Sequence, residues 1–226
     1  MNLGYACINM GFSNRSKKDR ITTNRTMIKK TFDQKGIDYA SELALQNCKD
    51  LLPILQWNEE NNIRFFRLSS EFFPWASHYD LFDMPDIDGI EKALADAGDF
   101  AKQYGHRLTS HPGPFNKLAS PKEQVVLNTI TDLEIHGQLF DLMGLSRTPY
   151  NKLNIHVGAH YGDKAMATSN FCKNFHRLSD AVKSRLTVEN DDKASLYSVK
   201  ELYEMIYKKI GIPIVFDYHH HKFCTG

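Results

Sequence analysis

The sequence lacks most of the features that mark membrane, secreted and nucleotide-binding proteins. No apolar run reaches the length of a membrane-spanning helix, and no secretory signal opens the chain. The four cysteines are scattered without a CxxC pair, so we interpret them as reduced thiols. No GxGxxG fingerprint follows the first predicted strand, and no linker or low-complexity tract interrupts the chain. We therefore expect an intracellular protein without a membrane partner.

Neither sign of charge is in excess either, because the chain has 28 Lys and Arg residues and 27 Asp and Glu residues. The formal net charge of +1 excludes a strongly basic, whole-molecule affinity for polyanions, but it leaves room for a local basic patch. With 226 residues and 42% hydrophobic content, the chain has the length and composition of one soluble domain, residues 1–226.

Six strand-like segments alternate with amphipathic helices, which is typical of repeated βα units and a parallel sheet. The predicted strands are 3–10, 63–68, 107–110, 153–157, 186–189 and 214–216. The predicted helices are 41–62 (with a kink or join at Pro53), 87–104, 121–143, 165–183 and 198–210.

Two architectures fit this alternation, an open doubly wound sheet and a TIM-barrel-like (β/α)8 fold. Polar residues follow nearly every predicted strand, as the ring of active-face loops of a barrel requires, so we favour the barrel. Six βα units leave two missing. We therefore expect either a chain truncated at its C-terminus or an incomplete barrel with a gap.

The most informative stretch is 212–221, where an apolar strand ends at Asp217 and three histidines follow. Carboxylate oxygen and imidazole nitrogen together suit a divalent metal such as zinc or manganese. A solvated loop and an expression tag are the alternatives, and a tag need not follow a strand.

Further potential ligands occur at the ends of the other predicted strands. The candidate metal ligands are His78, His111, His156, Glu189, Asp217 and His220. In a barrel these strand ends converge on one mouth, so distant residues become neighbours. Mixed His and carboxylate ligands there favour more than one cation, a common device for phosphate ester hydrolysis. We expect the nucleophile to be a metal-bound water rather than a side chain.

Several short motifs occur at or near the ends of the predicted strands. They are Gly4-Tyr5-Ala6-Cys7, Arg67-Leu68-Ser69-Ser70 with Ser77-His78, His111-Pro112-Gly113, Asn154-Ile155-His156-Val157-Gly158 with Tyr161-Gly162-Asp163-Lys164, Glu189-Asn190-Asp191-Asp192 and Asp217-Tyr218-His219-His220. Together, over essentially the whole chain and in the family's order, they resemble the UV damage endonuclease family.

The resemblance implies a TIM barrel with two or three metal ions, usually Mn²⁺, and damaged double-stranded DNA as the partner. It implies incision immediately 5′ to a UV photoproduct, leaving a 3′ hydroxyl and a 5′ phosphate, with abasic sites accepted too. The six candidate ligands match metal-binding positions of the family, and Tyr5 and Asn9 match its DNA-facing groove. Such an enzyme acts in the cytoplasm and nucleoid, or in the nucleus, and we expect a monomer.

Two departures from the family pattern affect these expectations. The family has Gln-Tyr after His-Pro-Gly, a pair that inserts into the duplex, whereas this chain has Pro114-Phe115. Phe115 can still stack on a base, but Pro114 cannot make the amide hydrogen bonds of Gln. In the family, the last two strands supply a further His, Lys and Glu that complete the metal cluster. These two strands are missing from the six predicted βα units, so we expect weaker metal binding and reduced activity from these 226 residues alone.

Basic residues offer additional DNA contacts. Lys164 beside the fourth strand is a candidate for a phosphate contact, as is the basic run 15–30, although a solvated face is the ordinary reading of both. The competing functions are a sugar isomerase or epimerase with the same barrel, an abasic-site endonuclease, and a non-catalytic damaged-DNA-binding protein.

Overall fold

The computed structural model describes residues 3–16 and 18–226. Six short strands alternate with helices along these residues. The strands are β1 (Gly4–Ala6), β2 (Phe65–Leu68), β3 (Arg107–Ser110), β4 (Leu153–Ile155), β5 (Leu186–Glu189) and β6 (Ile214–Val215). The predicted alternation of strands and helices is therefore confirmed.

The helices differ widely in length. The α-helices are α1 (Met10–Ser13), α2 (Lys29–Glu60), α3 (Ile87–Tyr104), α4 (Glu123–Leu142), α5 (Lys164–Phe175), α6 (Asp180–Lys183), α7 (Val199–Leu202), α8 (Lys208–Ile210) and α9 (Tyr218–His221). A π-helical turn, Tyr203–Tyr207, joins α7 to α8, and 3₁₀ turns lie at Ala76–His78, Leu81–Asp83 and Pro149–Asn151. No helix within the described residues is long and apolar enough to cross a membrane.

The chain divides into two compact units. The first contains the chain up to His111 together with Gln138–Ser146, and the second contains Pro112–Gly137 and Arg147–Gly226. In the first unit β1 pairs with β2 and β2 with β3, and both pairs are parallel. In the second unit β4 pairs with β5 and β5 with β6, again in parallel. Within each unit the strands thus follow chain order, as successive βα units require.

Each unit has its own apolar core under its strands. In the first unit α2 and α3 pack together, and Leu51, Ile54 and Leu94 are buried. In the second unit all four residues of β5 are buried, as expected for a strand covered on both faces. Hydrophobic burial is the main favourable term in folding, so β5 is fixed by the side chains packed on its two faces.

Strands β3 and β5 occupy the predicted residues, and the other four are shorter than predicted. The predicted strand 3–10 ends at Ala6 because Cys7 adopts a left-handed backbone, with φ at 64°. Asn9 then caps α1, and its side-chain oxygen accepts a hydrogen bond from the Gly11 N–H at 3.0 Å. The polar end of this segment therefore starts a helix instead of extending the strand.

Two helix predictions were wrong in detail. Helix α2 begins at Lys29, twelve residues before the predicted start, and its interior residue with non-helical dihedrals is Gly36, not Pro53. The predicted helix 165–183 is two helices, because α5 ends at Phe175 and Ser179 caps a new helix by accepting from the Val182 N–H. Both breaks depend on local backbone and capping geometry that hydrophobic periodicity does not report.

Gly98 in α3 provides a test of the packing in the first unit. A methyl group at this position would overlap the main-chain carbonyl of Met143, which cannot move aside as a flexible side chain can. We expect Gly98→Ala to lower the free energy of unfolding by about 1–3 kcal/mol, despite the better helix propensity of Ala. Chemical denaturation of the purified variant measures the difference.

Gly89→Ala is the matched control, because Gly89 lies in the same helix. Its added methyl group would meet only the flexible end of Leu45, at 3.0 Å from Cδ1. This substitution should be close to neutral. Equal destabilisation by both substitutions would contradict the close approach at Gly98.

Candidate metal centre

Three parallel strands of the second unit end in groups that can bind a metal. His156 follows β4, Glu189 is the last residue of β5, and Asp217 lies two residues after β6. Because β4, β5 and β6 are adjacent and parallel, their carboxyl ends lie along one edge. The sheet geometry therefore collects ligands that are separated by 28 to 33 residues in the sequence.

Hydrogen bonds hold both the side chain and the backbone of Asp217. Its carboxylate caps α9 and accepts from the backbone N–H groups of His219 at 2.7 Å and His220 at 2.9 Å. The buried Asn190 side chain accepts from the Asp217 N–H at 2.8 Å and donates to the Asp217 carbonyl at 3.1 Å. The residue that follows Glu189 thus holds the loop that follows β6.

The capped helix directs His220 towards the two carboxylates. One ligand atom from each of Glu189, Asp217 and His220 lies within 4.8 Å of the other two. The His220 Nδ1 atom is 3.5 Å from a Glu189 carboxylate oxygen, and Nε2 is 4.0 Å from an Asp217 oxygen.

A hydrogen bond to the backbone defines the tautomer of His220. The Nδ1 atom lies 2.9 Å from the Asn190 carbonyl oxygen, which can only accept. The proton of the neutral ring therefore sits on Nδ1, and Nε2 presents a lone pair. Such a ring is ready to bind a cation through Nε2.

Two polar residues of the sheet, Asn154 on β4 and Thr187 on β5, orient Glu189. Its side chain is only 8% exposed, and the Asn154 side-chain amide on β4 donates to its second oxygen. The Asn154 side-chain oxygen in turn accepts from the Thr187 hydroxyl at 2.7 Å. The carboxylate is thus held with one oxygen towards Asn154 and the other towards His220.

The electrostatics of this cluster favour a bound cation. Burial alone raises the pKa of Asp217, but the His220 backbone N–H, the His220 charge and the His219 backbone N–H outweigh it and lower the pKa. The Asp217 and Glu189 carboxyl groups lie within hydrogen-bonding reach of each other. Two adjacent carboxylates require a proton or a cation between them. The donor set of two carboxylates and one imidazole nitrogen therefore fits a divalent metal ion.

His156 lies beside these three residues. Its ring centroid is 5.4 Å from that of His220, and its Nδ1 atom is 3.5 Å from a carboxylate oxygen of Asp191. Asp191 is buried, and burial raises its pKa to about 6. Four of the six predicted ligands, His156, Glu189, Asp217 and His220, are therefore close together in the second unit.

The other two predicted ligands belong to the first unit. His111 directly follows β3. His78 ends a 3₁₀ turn, where its ring packs edge-on against Trp75 and Phe32 with centroids 5.2 and 5.5 Å away. The Ser77 hydroxyl lies 3.0 Å from the Nδ1 atom of His78. Their assignment as ligands stays a prediction.

The predicted DNA-facing residues Tyr5 and Asn9 form one hydrogen-bonded chain. The Asn9 amide donates to the Tyr5 hydroxyl at 3.0 Å, and this hydroxyl donates to Asn58 on α2 at 2.6 Å. Burial raises the pKa of Tyr5, so the phenol is neutral at pH 7. These contacts fix both side chains, and their role in DNA binding stays a prediction.

Pro114 and Phe115 lie at the tip of the loop between β3 and α4. Both are exposed, and Phe115 is 88% exposed. The neighbouring Asn116 is buried and anchors the loop by donating to the Gly113 carbonyl at 3.1 Å and to Asp132 at 2.6 Å. An aromatic ring on an anchored loop is available to contact a ligand from solution.

Three of the basic candidates are held in ion pairs, and Lys17 of the basic run lies outside the described residues. Lys164 at the start of α5 pairs with Glu201 at 2.6 Å and also donates to the Leu196 carbonyl. In the predicted basic run, Arg25 pairs with Asp50 at 2.7 Å, and Lys29 pairs with Asp33 at 2.7 Å. Their predicted contacts with phosphate remain to be tested.

The sequence alone does not reveal the groups that orient the candidate ligands. Asn154, Asn190 and Asp191 occur in the motifs noted above, but the sequence pattern assigns them no role. The sequence does contain one signal for such groups, because polar residues in or directly after a buried strand need hydrogen-bond partners there. The identity of those partners depends on strand pairing.

A family model for "UV-endonuclease UvdE" matches residues 1–226 of the chain. The UV-damage endonuclease of Schizosaccharomyces pombe is 38% identical over 227 residues, which cover 99% of this chain and 37% of that protein. The UV DNA damage endonuclease of Clostridium perfringens is 34% identical and is matched by all of this chain over 51% of its own length. The chain thus spans between about a third and a half of these two relatives.

Two solved structures are similar to this one. The crystal structure of SacUVDE superimposes with a TM-score of 0.83 at 33% identity, covering 99% of this chain and 71% of that one. The apo 3-keto-D-glucoside 4-epimerase of E. coli gives a TM-score of 0.52 at 11% identity over 76% of this chain and 65% of that one, a likeness of fold alone. Parallel strands and these matches confirm the predicted TIM-barrel-like α/β fold. By its sequence and its structure, the chain belongs to the UV-endonuclease UvdE family.

Proposed function

We propose that the protein is a metal-dependent endonuclease that incises DNA 5′ to UV photoproducts. The observation that carries this proposal is the cluster of Glu189, Asp217 and His220, with ligand atoms within 4.8 Å of one another, in a chain of the UvdE family. The substrate is damaged double-stranded DNA, with abasic sites as a second substrate, and such a substrate requires a protein that works inside the cell.

The proposed metal centre is built on the candidate ligands that follow the strands of the second unit. Glu189, Asp217, His220 and His156 are the ligands supported by geometry, whereas His78 and His111 are included because of the family resemblance. We propose two or three Mn²⁺ ions, since carboxylate and imidazole ligands suit this metal. When bound, such ions act as Lewis acids that neutralise charge developing on the phosphate.

The residues of the chain have separate tasks in this proposal. The carboxylates of Glu189 and Asp217 provide the negative charge that attracts the cations. Asn154 and Asn190 hold these carboxylates in place, so little reorganisation is needed when the substrate binds. Phe115 stacks on a base exposed at the lesion, a contact worth roughly 1–3 kcal/mol.

Metal binding should stabilise the folded protein. At a Mn²⁺ concentration about 100 times the dissociation constant, ligand binding contributes about 2.7 kcal/mol, which corresponds to a rise in Tm of about 5–10 °C for a chain of this size. Differential scanning calorimetry with and without Mn²⁺ measures this rise. Glu189→Gln should remove most of it, because a neutral amide is a poor ligand.

Asp192→Asn is the control for Glu189→Gln. Asp192 is exposed and lies three residues away on the same loop. The control should keep the full rise in Tm. An unchanged rise in Glu189→Gln would exclude this carboxylate from the metal centre.

The proposed reaction is tested with a duplex that contains a single UV photoproduct, under single-turnover conditions with Mn²⁺. We expect one incision 5′ to the lesion, and we expect Asp217→Asn to slow it by more than about 100-fold, since even outer partners of metal ligands contribute 10–100-fold. Glu204→Gln, at an exposed acid paired with Lys208, should incise at the original rate. Specific binding of the damaged duplex without incision would instead indicate a damage-binding protein.

Phe115 should determine the preference for damaged DNA. Phe115→Ala removes the exposed ring, so we expect binding to damaged duplex to weaken by about 5- to 100-fold and binding to undamaged duplex to change little. Fluorescence anisotropy with the two duplexes measures both affinities. Tyr150→Ala removes another exposed aromatic ring of the second unit and serves as the control. Equal losses on both duplexes would contradict a role in lesion recognition.

A further inference from the structure

Asp191 is a buried carboxylate that the proposed metal centre does not use. It lies two residues after Glu189, its side chain is only 6% exposed, and one carboxylate oxygen is 3.5 Å from the Nδ1 atom of His156. This separation is slightly longer than a typical hydrogen bond. Hydrogen bonds in active sites are often this long and tighten when the substrate binds.

The direction of the Asp191 carboxylate is fixed by Tyr197. The Asp191 backbone N–H donates to the Tyr197 carbonyl at 2.9 Å, and the Tyr197 N–H donates to the second carboxylate oxygen at 3.3 Å. This arrangement closes the loop after β5 on itself. The carboxylate oxygen that Tyr197 does not bond is the one that faces His156.

The loop that follows His156 is attached to the same residues. The buried Tyr197 donates its hydroxyl proton to the Ala159 carbonyl at 3.2 Å, three residues after His156. The Lys117 ammonium group donates to the Gly158 carbonyl at 3.3 Å and attracts Asp191 electrostatically. Gly158 permits this approach, because a side chain there would overlap the Lys117 ammonium group.

These contacts connect three loops of the second unit around one carboxylate. A buried carboxylate is costly unless it is paired. Lys117 supplies opposite charge, and the Nδ1 atom of His156 lies 3.5 Å from the carboxylate oxygen that Tyr197 does not bond. An imidazole that gives one nitrogen to a carboxylate presents its other nitrogen for a metal, in a fixed orientation and with increased basicity.

We propose that Asp191 is a positioning residue that accepts a hydrogen bond from the Nδ1–H of His156 and so directs Nε2 of His156 to the metal centre. This inference rests on the proposed function, because it assumes that His156 is a ligand. Asp191 itself touches neither the substrate nor the metal. Its effect on the metal therefore passes through His156.

The decisive substitution is Asp191→Asn, tested by Mn²⁺ binding rather than by incision. Asn keeps the shape of Asp and an oxygen for the Tyr197 N–H, but it removes the negative charge that faces His156. We expect the affinity for Mn²⁺, measured by electron paramagnetic resonance of the free ion, to fall by about 10–100-fold. Asp192→Asn, at the exposed neighbouring residue, should bind as tightly as the unaltered protein.

A double variant distinguishes positioning from a general loss of charge. In a His156→Ala background, Asp191→Asn should cause no further loss of affinity, because the group through which it acts is gone. Additive losses would overturn the proposal, as would an Asp191→Asn protein that binds Mn²⁺ normally.

The tautomer of His156 gives a second test that needs no substitution at Asp191. In the metal-free protein, ¹⁵N NMR of the imidazole should place the proton of neutral His156 on Nδ1, and a proton on Nε2 would overturn the proposal. An unaltered protein that binds no divalent cation would overturn both this inference and the metal-dependent function. Metal binding with the expected Asp191 effect but without incision would overturn only the nuclease function.

Discussion

The bidentate contact of Asn190 with Asp217 is the constraint on which the candidate metal centre depends. One buried amide satisfies both the N–H and the carbonyl of the residue that caps α9, and so it joins the end of β5 to the loop after β6. The cap in turn sets the position of His220, whose Nδ1 atom bonds the Asn190 carbonyl. Two candidate ligands, Asp217 after β6 and His220 on α9, are therefore placed by the residue next to the third candidate, Glu189.

Neutral hydrogen-bond donors orient the carboxylates of Glu189 and Asp217. Backbone N–H groups bond Asp217, and the Asn154 amide bonds Glu189. Donors of this kind orient a carboxylate without cancelling its charge, so the attraction for a cation is preserved. In contrast, Lys164 and Arg25 are paired with Glu201 and Asp50.

The loops after the strands of the second unit are connected to one another as well as to the sheet. Tyr197 joins the loop after β5 to the loop after β4, and Lys117 joins the loop that carries Phe115 to the same place. The exposed ring of Phe115 and the candidate ligand His156 thus lie on segments that share contacts. Such contacts can hold two side chains in a constant relation, which catalysis by positioning would require.

The sequence by itself determined the order of strands and helices, the parallel fold class and the types of candidate ligand near the strand ends. Buried apolar runs such as β5 and the amphipathic period of α3 are local signals, and the candidate ligands lie at or just after these predicted strands. It could not determine the break at Cys7, the helical start at Lys29 or the partners of Lys164 and Asp191. These features depend on dihedral angles and on contacts between residues 30 or more positions apart. Only the tertiary structure decided which polar side chains orient the candidate ligands, because a hydrogen bond depends on the position of both partners.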